Sequence, residues 1–125
     1  MKFAVVVFML VLSTIGYLQQ SKPIVVQNAY FPKAGKEKEV YEWRLHASDV
    51  REKLGLPKGR VLRRISVPTT IGSNGSYVIW ECEYSSMEER QRDVEKLDQS
   101  EEFKKVQEHM TTLLDKFERT VWEVN

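Results

Sequence analysis

The chain has 125 residues, with 19 Lys plus Arg against 18 Asp plus Glu and a formal net charge of +1. Hydrophobic residues at 42% and charged residues at 30% are the proportions of one globular domain, not of a disordered or collagen-like chain. The near-neutral balance removes the electrostatic case for a nucleic-acid partner, and a lone cysteine, Cys82, excludes an intramolecular disulfide and a multi-cysteine metal site.

Met1 and Lys2 precede the apolar run Phe3 to Leu12, which is followed by Ser13, Thr14, Ile15 and Gly16. A basic start, an apolar middle and small residues after it read as a secretory signal over residues 1–16, cleaved after Gly16, with an uncleaved N-terminal anchor as the alternative. The run is shorter than the ~20 apolar residues a membrane span needs. The expected address is secreted or periplasmic, with membrane attachment only through an uncleaved segment. Loss of Lys2 leaves equal numbers of basic and acidic residues, a balance that permits self-association. Residues 17–23 read as a linker and residues 24–125 as the domain.

Ile24 to Phe31 is rich in β-branched and aromatic residues and ends at Pro32, which predicts a first strand. A turn over Pro32 to Lys36 leads into a helical pattern of Val40, Trp43, Ala47, Val50 and Leu54, closed by Gly55. Arg60 to Ile71 reads as strand two, with Val61, Ile65 and Val67 on one face, and Asn74-Gly75 as a hairpin turn. In strand three, Tyr77 to Tyr84, alternation puts Val78, Trp80, Cys82 and Tyr84 on one face and Glu81 and Glu83 on the other, so Cys82 is expected to be buried. Ser86-Met87-Glu88-Glu89 is a capping box opening a charged helix to about Leu97. Ser100 caps a second piece with the stripe Phe103, Val106, Met110 and Leu113, and Phe117 to Val124 is the last strand. The order β-α-β-β-α-β defines an α+β, ferredoxin-like plait: one antiparallel sheet with helices on one face. The other face, half apolar, is expected to meet its copy in a two-fold homodimer. Arg64 is expected to pair across strands with Glu81 or Glu83.

Three stretches carry a resemblance: Asn28-Ala29-Tyr30-Phe31-Pro32-Lys33-Ala34-Gly35-Lys36-Glu37-Lys38-Glu39, Tyr84-Ser85-Ser86-Met87-Glu88-Glu89, and Ser100-Glu101-Glu102-Phe103-Lys104-Lys105. Together they resemble the dimeric α/β-barrel superfamily, in particular the antibiotic-biosynthesis-monooxygenase-like (ABM) domains, over about residues 24 to 124. The resemblance implies a dimeric α/β barrel, two sheets face to face, with one pocket per subunit between sheet and helices. It also implies either binding of a small organic ligand or cofactor-independent monooxygenation of a phenolic or quinol-like molecule. A non-catalytic interaction dimer is the remaining alternative. The haem-degrading branch of the superfamily uses an Asn on strand one, a Trp at the end of strand three and a His on helix two. Here Asn28 matches, while Tyr84 and Gln107 stand at the other two positions. Gln is not an ordinary axial ligand for haem iron, and His109 lies about 200° further around the helix. No cofactor is therefore expected.

The candidate ligand-binding residues are Asn28, Tyr30, His46, Trp80, Tyr84 and Gln107. Asn28 shares strand parity with Val26 and Tyr30, so all three are placed toward the helices. Hydrogen-bonding groups of Asn28, Trp80, Tyr84 and Gln107 would stabilise an anion in such a pocket. His46 on helix one would be a base at its edge. The competing reading is an ordinary core with satisfied polar tips. His46 and His109 have no neighbouring Cys or patterned carboxylates, so no metal site is signalled.

Overall fold

Alternation along two central strands sets the architecture. In β1 (Ile24–Pro32) the residues Ile24, Val26, Asn28 and Tyr30 are buried, and in β3 (Val78–Tyr84) so are Val78, Trp80, Cys82 and Tyr84. The strands pair antiparallel with Val26 opposite Cys82 and Asn28 opposite Trp80. Residues opposite one another share a face, so the two buried rows form one surface. β2 (Arg60–Arg63) adds to β3 and β4 (Leu114–Glu123) to β1, both antiparallel, giving the order β2-β3-β1-β4. This is the ferredoxin-like α+β plait. The computed structural model describes residues 22–64 and 77–125. The expected signal segment, residues 17–21 of the linker, Ile65 to Ile71 of strand two and the Asn74-Gly75 turn lie outside the described residues.

Among the described residues, three helices cover the buried face: α1 (Glu37–Lys53), α2 (Met87–Asp98) and α3 (Glu101–Leu113). Ser86 caps α2 by accepting from the Glu89 amide at 3.1 Å, and Ser100 caps α3 by accepting from the Phe103 amide at 3.1 Å. Glu89 reaches back one residue beyond the cap: the Ser85 amide and hydroxyl both donate to its Oε2. Those bonds hold its carboxyl below the ordinary value. Val40, Met110 and Leu113 pack against the β1 and β3 rows. Ala47, Val50, Leu97, Phe103 and Val106 form a second core between the helices. Cys82 is buried, and burial pushes its thiol up, away from the reactive thiolate.

Two local expectations change. The last strand begins at Leu114 rather than Phe117, because α3 runs straight into it: Leu114 already has extended backbone. A register shift at Phe31/Pro32 absorbs the tight junction, and the Lys33 amide donates to the Leu113 carbonyl at 2.9 Å. The partner of Glu81 is Arg60, directly opposite it in the β2–β3 register, and Gln27 donates to the same carboxylate. Arg64 lies over the Tyr77 ring at 5.2 Å.

Candidate functional site

Helices and sheet diverge enough to leave a cavity of about 570 Å³ on the inner face of the sheet. This lies within the range of small-molecule sites. One wall is apolar, from Val26 on β1, Leu97 on α2, and Phe103, Val106 and Met110 on α3. A second part of the lining, on the sheet and α1, is polar. It is built by Asn28 and Tyr30 of β1, Trp80 and Tyr84 of β3, and two arginines of α1, Arg44 and Arg51.

The arginines organise that wall. Arg44 is 4% exposed and Arg51 3%. Arg51 Nη2 donates to the Tyr84 hydroxyl at 3.0 Å and Nε donates to the Pro57 carbonyl at 2.7 Å. Asp93 Oδ2 lies 3.5 Å from Arg51 Nη2. That is close enough for ion pairing but outside hydrogen-bond geometry, so this oxygen has no hydrogen-bond partner among the described residues. Arg44 donates to the Tyr30 hydroxyl at 3.4 Å and to Ser48 Oγ at 3.2 Å. Both guanidinium carbons sit against the Trp80 ring, Arg51 at 4.6 Å and Arg44 at 5.0 Å from its centroid. Burial lowers the pKa of Arg44, with the Tyr30 interaction opposing and the Arg51 charge reinforcing. Burial also pushes the Tyr84 hydroxyl well above its ordinary value, and the Arg51 charge offsets only part of this. Tyr84 is therefore a neutral hydroxyl at physiological pH.

Trp80 is held by its far end, where Nε1 donates to the Lys58 carbonyl at 3.0 Å. Gly59 makes this possible. It has φ of 73°, and a Cβ there would overlap Trp80 Nε1 and Cε2. On β1, Asn28 Nδ2 donates to the Tyr30 hydroxyl at 3.4 Å, and Asn28 Oδ1 accepts from Arg119 Nε of β4 at 2.9 Å. A chain of polar contacts thus runs from the cavity mouth at Arg119 through Asn28 and Tyr30 to Arg44.

Of the six residues singled out in the sequence, five line the cavity: Asn28, Tyr30, Trp80 and Tyr84 are buried, and Gln107 is exposed at the rim. His46 does not line it. It is exposed on α1 and meets Trp43 edge-on, with centroids 5.4 Å apart, because its position on the helix faces away from the sheet. His109 tilts against the same Trp43 at 4.2 Å. Arg44 and Arg51, charged residues set between the apolar positions of α1, are the principal polar groups of the site. The available signal was spacing: Val40, Arg44, Ala47, Ser48 and Arg51 fall on one helix face, and all five are buried. Arg119 had a parity signal, since it stands opposite Asn28.

The sheet order, the one-sided helical layer and the cavity between them define a class: ferredoxin-like α+β domains with an internal pocket. Solved structures similar to this chain include NIPSNAP family proteins. One from Agrobacterium tumefaciens is 18% identical, with a TM-score of 0.61 over 85% of this chain and 89% of that one. An uncharacterised NIPSNAP domain protein from Burkholderia xenovorans is 17% identical, with a TM-score of 0.56 over 82% of this chain and 94% of that one. A second Agrobacterium tumefaciens protein, described as of unknown function, is 17% identical, with a TM-score of 0.56 over 84% and 90%. This is a likeness of fold. No family model matches the chain, and no curated protein does.

Proposed function

We propose that this is an exported domain that binds a small organic ligand in the cavity between sheet and helices and works as a two-fold dimer. The observation that carries the ligand reading is the cavity itself: about 570 Å³, with apolar lining from Phe103, Val106 and Met110 of α3 and polar groups of Asn28, Tyr30, Arg44, Arg51 and Tyr84 from the sheet and α1. An interaction module would be free to fill this space with Trp80, Tyr84 and Met110, whereas here they stand around it. The export reading rests on the basic start and apolar run at the N-terminus.

The dimer reading rests on the outer face of the sheet. Pairing places Val25, Ala29, Leu62, Ile79 and Trp122 there, with no helix over them among the described residues. Leu62 is 39% exposed and Trp122 54%. A second copy would bury this surface by isologous packing.

The ligand reading is tested with an uncharged naphthalene fluorophore, N-phenylnaphthylamine, and its sulfonated counterpart, anilinonaphthalene sulfonate. Saturable binding of at least one dye, one per chain, is expected. It should be lost in Val106→Trp, which fills the apolar wall, provided that variant keeps the native circular dichroism spectrum. Binding of neither dye would overturn the reading.

A further inference from the structure

We infer that the cavity is an anion site, built for a small organic molecule with a negatively charged oxygen head and an apolar body. The inference deepens the ligand-binding reading and rests on it. It starts from an imbalance of charge. Arg44 is 4% exposed and remains charged, since a guanidinium does not deprotonate in proteins. Its partners are all neutral: the Tyr30 hydroxyl, Ser48 Oγ, and the faces of Trp80 and Tyr30 at 5.0 and 5.8 Å. No carboxylate of the described residues pairs with it, and its Nε is buried with no hydrogen-bond partner among them.

A second cation stands against the same indole. Arg51 has the Asp93 carboxylate beside it, but Asp93 does not line the cavity, whereas both arginines do. The polar lining therefore carries two guanidinium groups, and the one carboxylate near them stands beside Arg51 outside the lining. Burying a charge without a counter-charge is costly, and the cost is offset when a bound anion supplies it. Tyr30, Tyr84 and Asn28 add neutral hydrogen-bonding groups around the same space.

The rim is close to balanced, so the positive excess belongs to the buried pair of arginines. Arg90 and Arg119 stand there with Asp98 and Asp115, both of which are exposed. Size and lining decide that the anion is organic. An inorganic oxyanion would leave most of the volume and the Phe103, Val106 and Met110 wall unused. A head group at Arg44 and an apolar body along α3 uses both walls.

The test compares the two dyes, which share a naphthalene body and differ in charge, on the purified full chain. Anilinonaphthalene sulfonate should bind at least roughly tenfold tighter than N-phenylnaphthylamine, the low end of a buried charge-assisted hydrogen bond. Arg44→Gln should abolish that margin without weakening the neutral dye, and Arg44→Lys, which keeps the charge, should retain part of it. Equal affinity for both dyes in the parent protein, or an Arg44→Gln variant with native circular dichroism and an unchanged margin, would overturn the inference and leave the ligand cavity standing. If neither dye binds, the cavity reading itself falls and takes this inference with it. Should Arg44→Gln not fold, the margin in the parent protein and its change in Arg44→Lys decide.

Discussion

Arg51 and Tyr84 meet across the gap between α1 and β3, the guanidinium donating to the phenolic hydroxyl at 3.0 Å. Both residues are nearly sealed from water, at 3% exposure each. The contact ties helix to sheet at a point where apolar packing gives way to the cavity. It also leaves the Asp93 carboxylate dependent on the same guanidinium. Arg51→Met should therefore strand a buried carboxylate and a buried hydroxyl together. The expected loss of stability is about 3–5 kcal/mol, as for breaking a buried ion pair from one side. Urea denaturation of the two proteins measures it. A double variant that also carries Asp93→Leu should recover part of the loss, because the orphaned charge is gone.

Gly59 is required by its neighbour rather than by its own turn alone. The position has φ of 73°, and the space a Cβ would need is occupied by the Trp80 indole. Gly59→Ala should cost at least the ~1–3 kcal/mol of a strained backbone residue. It should also displace Trp80, changing the near-ultraviolet circular dichroism. A Gly55→Ala control shares the positive φ but meets only the flexible end of Lys96 at 3.8 Å, so it should lose stability without that spectral change.

Glu81 should make stability depend on acid. Hydrogen bonds from Gln27, then from Arg60, hold its carboxyl below the ordinary value of 4.5. A depressed native pKa contributes stability that is present above the unfolded value and lost as pH falls through the native one. The stability difference between the parent protein and Glu81→Gln should be largest near neutral pH and should shrink steadily below pH 4.5. Chemical denaturation at stepped pH reads this directly, and a difference that grows toward acid would contradict the assignment.

Trp122 is the most exposed large apolar residue described, at 54%, although its Nε1 donates to Gln27 Oε1 at 2.8 Å. If the outer sheet face meets its copy, the domain should run near twice its monomer mass in light scattering at micromolar concentration. Trp122→Glu should shift it to the monomer by placing a charge in the apolar contact. A parent protein that is monomeric from the start would refute the two-fold assembly.

Much of this molecule could be read along the chain. Period-two alternation identified the buried rows of β1 and β3 and so placed Asn28, Tyr30, Trp80 and Tyr84 on one surface. Strand parity is a local property, and a half-buried strand has only two faces to offer. The Ser86 and Ser100 caps were equally legible, since a cap is a contact across three residues. Helix α1 was harder. Its apolar positions gave the correct face, but the same face carries Arg44, Ser48 and Arg51, and one-dimensional patterning assigns charged residues to solvent.

Sequence alone determined the order of elements, the faces that β1 and β3 bury, and five of the residues that line the cavity. Tertiary structure decided the rest. The junction of α3 with β4, the pairing of Glu81 with Arg60, the outward position of His46 and the burial of two arginines beside Trp80 all depend on what stands opposite each residue in space. Spacing along a chain fixes direction from an element's axis, but the environment met in that direction comes from other elements. For a charged side chain, that environment decides whether it is a solvated surface group or the centre of a site.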